Sequence, residues 1–460
     1  MTTAPRPPMG WNSWDSFGTT VTEAEVLANA RFLAEHLAPL GWDTVVVDID
    51  WSDPSARAHG YNQDAPLEMD GHGRLLPDPG RFPSAADGAG FAPLAEQIHA
   101  LGLRFGIHVM RGIPRRAVTA NSPIAGSPLH AADIADAGNA CEWNPHMVGI
   151  DHSVPGAGAY YESVLALYAS WGVDFLKVDD MLWPYQAAEI EAFSAAIEGC
   201  GRPMQLSLSP GRDLSLTRLD HLREHATMWR ICDDLWDRWE DVEANFARFA
   251  RWAPHAGPEG WPDGDMLPLG RIGIRAERGE PRHDLLTPDE RRTLLTLWVI
   301  ARSPLMVGGD LPSSDPETIA LLANADVLAV HREGRGAREV FREDPLILWT
   351  AHTGEAAAAE VDGEGGAAGA DATGVRYIAA FNTGEAPLSL ALDAQDVGLP
   401  AALDGAMTEL WTGAAVPTRP VAEQSDAARG VAPGSTAIDL EIAPHGAALL
   451  RYEPGEHGRG

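Results

Sequence analysis

Acidic residues recur in pairs at the ends of short apolar segments between residues 44 and 234. The pairs are Asp48 and Asp50, Asp179 and Asp180, and Asp233 and Asp234. Two carboxylates that face one bound sugar can divide the work of glycoside hydrolysis, because one attacks the anomeric carbon and the other protonates the leaving oxygen. A single strand-end Asp commonly caps the following helix, but six of them in this pattern favour a catalytic site.

Two cations lie near these acids and separate their roles. Side chains two residues apart on a strand share a face, so Lys177 points the same way as Asp179, and Arg230 the same way as Asp234. The charge of Lys177 would keep Asp179 ionised, as a nucleophile requires. Asp234 would then hold the proton, although the charge of Arg230 opposes this and leaves the order of the two pKa values open. The acids of opposite parity are expected to be structural: Asp180 and Asp233.

Further side chains at presumed strand ends could hold a sugar. Trp14 ends the first predicted strand, and its ring suits the C–H face of a pyranose. His108 ends the third strand and Ser209 ends the fifth. Asp48 and Asp50 share a face of the second strand and complete the candidate binding residues of this pattern.

A metal site is the competing chemistry, since Asp and His side chains can bind a divalent cation. The sequence contains no H-E-x-x-H motif and no His-x-His pair after the first strand, and its 16 histidines are scattered. The motifs therefore do not favour a metal site. A metal-dependent barrel isomerase or lyase is the alternative enzyme class.

The elements that must position these residues alternate from residue 8 to about 325. Strands are predicted at 8–14, 44–51, 105–110, 175–180, 204–209 and 228–234, with weaker candidates near 265–269 and 305–310. Capping boxes at Thr22 and Thr287 begin two helices, and others are predicted at 91–101, 157–171, 185–199 and 237–253. Eight such repeats predict an α/β fold, a (β/α)8 TIM barrel over residues 1–325. A doubly wound sheet is the alternative, but its Gly-rich loop is missing.

The pattern changes after residue 325. Short apolar runs at 346–349, 377–381 and 447–452 are separated by turn residues, which predicts a C-terminal antiparallel β-sandwich over 326–460. Residues 354–374 are rich in Gly, Ala and Glu and are predicted to form a flexible loop. This domain is expected to pack against the barrel, with polysaccharide binding as the alternative.

Composition limits the partners. The chain of 460 residues carries 66 acidic and 34 basic residues, a net charge of −32. This charge argues against nucleic acid and against an anionic membrane surface as partners. The three cysteines have no metal spacing and favour no disulfide framework, and no apolar leader begins the chain, so a cytoplasmic location is expected. The sequence carries no signal of the oligomeric state.

Five segments of the chain resemble motifs of glycoside hydrolase family 27, the α-galactosidase family. They are Met9–Trp14, Phe175–Asp179, Trp229–Asp234, Trp261–Leu267 and Leu305–Leu311. Their order and spacing cover most of residues 8–311, so the resemblance rests on more than one short match. It implies the barrel and sandwich architecture, an exo-acting hydrolase that needs no metal or cofactor, and an oligosaccharide or glycoside as its small-molecule substrate.

The resemblance also implies roles for individual residues. Asp179 would be the nucleophile of a retaining mechanism and form a glycosyl-enzyme, and Asp234 would be the acid/base. The carboxyl groups of a retaining pair lie about 5–5.5 Å apart, and we expect that separation here. The positions that match the family's sugar pocket are Trp14, Asp48, Lys177, Arg230 and Asp265.

Three departures from the family pattern bear on the substrate. Ile49 replaces a second acid that holds sugar hydroxyls, His108 stands at the position of the usual Tyr, and the segment 207–211 replaces the usual Cys-Glu-Trp. The family's disulfides near the site are also absent. These changes affect hydroxyl recognition and leave both catalytic acids in place. An α-D-galactoside is the expected substrate, with a β-L-arabinopyranoside or an α-glucan as alternatives and a non-catalytic sugar-binding protein as the alternative of another class.

Overall fold

The chain divides into two compact units. The structure is a computed structural model that describes residues 4–62, 64–354, 374–421 and 434–455. The first unit comprises Met1–Asp237, Gly257–Asp284 and Pro304–Ala323, and the second comprises Arg238–Ala256, Leu285–Ser303 and Asn324–Gly460. Two segments that precede residue 325 thus belong to the second unit, and the predicted boundary at 325/326 stays a prediction. Most of the predicted flexible loop, residues 355–373, lies outside the described residues.

Eight parallel strands form the sheet of the first unit. They are β1 (Met9–Asn12), β2 (Thr44–Val47), β3 (Arg104–Met110), β4 (Phe175–Asp179), β5 (Gln205–Leu208), β6 (Met228–Arg230), β7 (Trp261–Asp263) and β8 (Leu305–Val307). Strands β1 to β7 pair in sequence order and β8 pairs with β1. An isolated parallel bridge between Leu267 and Val307 joins the segment after β7 to β8. This arrangement confirms the predicted (β/α)8 barrel.

The ends of several strands differ from the prediction. The seventh strand is Trp261–Asp263, so the strand predicted near 265–269 is wrong, and that segment supplies only the bridge of Leu267. Strand β2 ends at Val47, and strand β6 ends at Arg230. After β2 the chain reaches Asp50, whose φ of 63° lies in the left-handed region and does not continue a strand.

Nine longer helices follow in the described part of the chain. They are α1 (Glu23–His36), α2 (Ala92–Ala100), α3 (Ala159–Ser170), α4 (Ala187–Gly199), α5 (Leu219–His225), α6 (Trp239–Trp252), α7 (Pro288–Ala301), α8 (Pro316–Leu322) and α9 (Ala325–Glu333). Six of them, α1 to α4, α6 and α7, lie at the predicted places. The capping boxes that begin α1 and α7 are both present. Shorter helices span Trp14–Phe17, Arg115–Ala120 and Ala131–Ile134, and short strands span Ile113–Pro114, Ala135–Asp136, Met147–Ile150, Arg271–Ile272 and Arg282–His283.

The C-terminal part of the second unit is an antiparallel sandwich. Its strands are β9 (Arg335–Glu343), β10 (Leu346–His352), β11 (Arg376–Asn382), β12 (Leu388–Asp393), β13 (Ala406–Glu409), β14 (Thr418–Pro420), β15 (Thr436–Ile442) and β16 (Ala447–Glu453). A five-stranded sheet has the order β9-β10-β11-β16-β13, and a three-stranded sheet has the order β12-β15-β14. Leu348, Ile378 and Leu450 of the larger sheet share one buried core with Leu392 and Ile438 of the smaller sheet, which confirms the predicted sandwich.

Candidate active site

A cavity of about 300 Å³ lies at the carboxyl ends of the barrel strands. Its lining includes residues in or directly after β1 to β7, which is the face where barrel enzymes carry their active sites. Seven of the ten residues that the sequence predicts for the site line this cavity: Trp14, Asp48, His108, Lys177, Asp179, Arg230 and Asp234.

Asp179 is the last residue of β4, and hydrogen bonds fix both of its carboxylate oxygens. The ring Nε2 of His108 lies 3.0 Å from Oδ2, and the backbone N–H of Asp180 donates to Oδ1 over 2.8 Å. Burial alone would raise the pKa of Asp179, but the hydrogen bond and charge of His108 and the charge of Lys177 hold it well below its ordinary value. Asp179 is therefore ionised throughout the ordinary pH range.

Lys177 lies two residues before Asp179 on the same face of β4, as the strand parity predicts. Its ammonium group forms an ion pair with Asp48, with Nζ 2.9 Å from Oδ2. The side-chain amide of Asn12 donates to the same oxygen over 2.8 Å. Burial would lower the pKa of Lys177, but the carboxylates of Asp48 and Asp179 raise it above its ordinary value, so the lysine stays charged beneath the cavity.

Asp234 is more accessible than Asp179. Its side chain is 42% exposed, and Nη2 of Arg230 lies 3.2 Å from its Oδ1. The other terminal nitrogen of Arg230 forms a shorter contact, 2.7 Å, with the buried carboxyl of Asp265. Burial raises the pKa of Asp265. The guanidinium is therefore shared, and its closer partner is Asp265.

Three of the predicted binding residues do not line the cavity. Asp50 lies beyond the end of β2, where its carboxylate is 3.2 Å from Nδ1 of the buried His146. Ser209 is buried, and its hydroxyl has no hydrogen-bond partner among the described residues. Asp265 holds Arg230 and accepts the backbone N–H of Leu235 over 2.8 Å. The parity argument fails for Asp50 because the strand ends three residues earlier.

Asp180 and Asp233 are the two acids predicted to be structural, and they lie in different surroundings. Asp180 is buried and pairs with Arg111 over 2.6 Å, which agrees with a structural role. Asp233 is exposed and lines the cavity beside Asp234. The expectation for Asp233 rested on strand alternation, which no longer applies after Arg230.

Other residues that line the cavity come from separate connecting segments, and no shared sequence pattern links them. Tyr61 lies in the long connection after β2, and its ring stacks on that of Trp14 at a centroid distance of 6.3 Å. Trp143 and Trp183 line the cavity with their rings partly exposed. The remaining lining residues are Ile49, Pro210, Arg212, Asp233, Met266, Glu277 and Arg278.

The described ranges contain neither a metal-binding cluster nor a membrane-spanning helix. No group of three or more His, Cys, Asp and Glu side chains there is arranged to hold a metal ion. No helix there has the length and hydropathy to cross a membrane. The cysteines, Cys141, Cys200 and Cys232, are free thiols.

A barrel whose mouth holds two carboxylates in one cavity, one partly buried and ionised and the other accessible, has the arrangement that glycoside hydrolases use. Comparison with known proteins agrees. A sequence model of the family described as Alpha galactosidase A matches residues 145–333. A GH27 β-L-arabinopyranosidase of Geobacillus stearothermophilus, solved in complex with arabinose, is 43% identical, with 98% of each chain covered and a TM-score of 0.88.

More distant relatives carry other activities. An α-galactosidase of Cyamopsis tetragonoloba is 26% identical over 75% of this chain and 69% of its own length. An α-N-acetylgalactosaminidase of Rattus norvegicus is 28% identical over 74% of this chain and 72% of its own length. The chain belongs to glycoside hydrolase family 27.

Proposed function

We propose that this chain is a retaining exo-glycosidase that releases β-L-arabinopyranose from small glycosides. The observation that carries the choice of sugar is Ile49, whose side chain lines the cavity beside Asp48. An acid at this position would hold sugar hydroxyls, whereas Ile49 offers only hydrocarbon. β-L-Arabinopyranose has the ring configuration of α-D-galactopyranose and lacks the hydroxymethyl group on C5. An apolar wall fits the smaller sugar, because a buried hydroxyl without a partner is costly.

The similarity to the β-L-arabinopyranosidase of Geobacillus stearothermophilus supports the same sugar, since it extends over 98% of both chains. An α-D-galactoside is the second candidate. It is favoured by the more distant α-galactosidase relatives.

In the proposed mechanism, Asp179 attacks the anomeric carbon while Asp234 gives a proton to the leaving oxygen. Asp234 then removes a proton from the water that hydrolyses the glycosyl-enzyme on Asp179. The low pKa of Asp179 supports its role as the nucleophile. For this mechanism we predict a separation of about 5–5.5 Å between the carboxyl groups of Asp179 and Asp234.

The arrangement around Arg230 supports the role of Asp234 as the acid. Arg230 contacts both carboxyl groups. Its shorter contact, 2.7 Å, is with the buried Asp265, whereas Asp234 lies 3.2 Å away with a solvent-exposed side chain. Asp234 also lines the cavity, so its carboxyl is the one that can reach the leaving oxygen of a bound glycoside.

The test is the release of nitrophenol from aryl glycosides, with β-L-arabinopyranoside and α-D-galactopyranoside side by side and Asp179→Ala as the blank. We expect kcat/KM to be higher for the arabinopyranoside and both rates to vanish in the variant. A higher kcat/KM for the galactoside would move the proposal to the second sugar. No turnover of any glycoside in the panel would overturn the proposed activity.

A further inference from the structure

A row of aromatic rings leads from the inside of the cavity to the surface of the first unit. The ring of Tyr61 is nearly parallel to that of Trp14, at an interplanar angle of 16°, and it lies 5.4 Å from the ring of Trp143. Trp14 is 7% exposed and Trp143 is 37% exposed. The inner end of the row lies beside the residues proposed for the released sugar, so its outer end lies where the rest of a substrate would emerge.

A second indole borders the same cavity from another loop. Trp183 is 52% exposed and follows the strand that carries Asp179. Its loop is held by backbone hydrogen bonds, from Gln186 N–H to Met181 C=O over 2.8 Å and from Met181 N–H to Ser209 C=O over 2.9 Å. The ring of Trp183 is therefore presented to solvent by an ordered turn.

Few of the large apolar side chains that the structure describes are exposed. Among the described residues the exposed ones are Trp143, Trp183, Leu285 and Phe341, and both tryptophans line the cavity. An indole left in water gains no burial energy in the free protein, so its placement at the cavity edge points to contact with a ligand.

We infer that Trp143 and Trp183 form the binding site for the leaving group, and that this group is a pyranose sugar. A pyranose has C–H faces that pack on indole rings and hydroxyls around its edge that need polar partners. Charged side chains line the same cavity and can supply those partners: Arg212, Asp233, Glu277 and Arg278. The inference rests on the proposed glycosidase activity and extends it to the second sugar of the substrate.

Two substrates that differ only in the leaving group separate this site from the rest of the cavity. In β-L-arabinopyranosyl fluoride the leaving group is one atom and cannot reach Trp183. In a disaccharide of β-L-arabinopyranose and a second pyranose, the leaving group would cover the indole. We expect Trp183→Ala to lower kcat/KM for the disaccharide about tenfold, to leave kcat/KM for the fluoride within about twofold, and Trp183→Phe to recover most of the loss.

Phe341→Ala is the matched control, because Phe341 is also an exposed ring, at 41%, and does not line the cavity. An equal loss on both substrates in Trp183→Ala would mean that Trp183 shapes the inner pocket, and no loss on the disaccharide would mean that the leaving sugar does not bind there. Either result overturns the inference. A loss confined to nitrophenyl glycosides would replace the sugar by an aromatic leaving group. If the wild-type protein hydrolyses neither arabinopyranosyl substrate, the proposed glycone is wrong, and the same pair built on α-D-galactose tests the subsite independently.

Discussion

Replacement of Ile49 by Asp should shift the preference of the enzyme from arabinopyranosides towards galactosides. Ile49 is 3% exposed and lines the cavity beside Asp48, whose carboxylate accepts the backbone N–H of Ile49 over 2.9 Å. The change therefore alters the side chain that the sugar meets and retains the backbone contact that positions Asp48.

Two contributions determine how far the ratio of kcat/KM values for the two glycosides changes. A hydrogen bond from the C6 hydroxyl of galactose to a carboxylate contributes about 2 kcal/mol. Loss of the apolar contact that Ile49 offers the unsubstituted C5 of arabinopyranose costs about 1 kcal/mol. Together they change the ratio of kcat/KM values by about 3 kcal/mol, which corresponds to about 100-fold.

The assay compares kcat/KM for nitrophenyl α-D-galactopyranoside and nitrophenyl β-L-arabinopyranoside in the wild-type protein and in Ile49→Asp. Ile49→Val is the matched control, since it keeps the apolar wall and should leave the ratio of kcat/KM values within about threefold. A folded, active Ile49→Asp variant with an unchanged ratio would refute the assignment of this position to sugar selection.

Three further predictions concern the catalytic acids and a buried ion pair. Asp234→Ala should lower kcat for alkyl glycosides by about 10²- to 10⁴-fold, and azide should restore turnover of activated aryl glycosides as glycosyl azide, detected by NMR. His108→Ala removes a hydrogen bond that lowers the pKa of Asp179; that pKa rises, so the acidic limb of the kcat/KM profile should move to higher pH. His146→Ala leaves the buried carboxylate of Asp50 without its partner and should cost about 3 kcal/mol in the free energy of unfolding, measured with urea.

Each of these predictions has an outcome that would contradict it. For Asp234, it is a loss of activity that azide does not relieve and that is equal for good and poor leaving groups. For His108, it is an acidic limb at the same pH as in the wild-type protein. For His146, it is unfolding at the same urea concentration as the wild type, with the same slope.

Much of the barrel could be predicted because its strands are buried on both faces and appear as apolar runs. Strand β7 was misplaced because Trp261-Pro262-Asp263 contains a single apolar residue beside proline and acid, and its burial comes from its neighbours. Asp50 was assigned to the site by alternation along β2, but alternation ends with the strand at Val47. Local sequence does not fix where such a strand ends.

Most of the cavity wall comes from segments that connect the strands, and this part was harder to predict. Tyr61 follows β2 by 14 residues, and only the folded chain brings its ring onto Trp14. The buried His146, whose Nε2 lies 2.5 Å from the backbone carbonyl of Asn62, ties that loop to Asp50. Neither contact has a spacing that a sequence pattern could reveal.

The central claim is that Asp179 forms a covalent bond to the sugar. The most direct measurement is peptide mass spectrometry after incubation with a 2-deoxy-2-fluoro glycosyl fluoride of the sugar that the enzyme hydrolyses, because the fluorine slows hydrolysis of the intermediate. We expect one added glycosyl mass on the peptide that contains Asp179, lost again as activity returns. A label on Asp234, or an unlabelled protein whose first product has the inverted anomeric configuration, would contradict it.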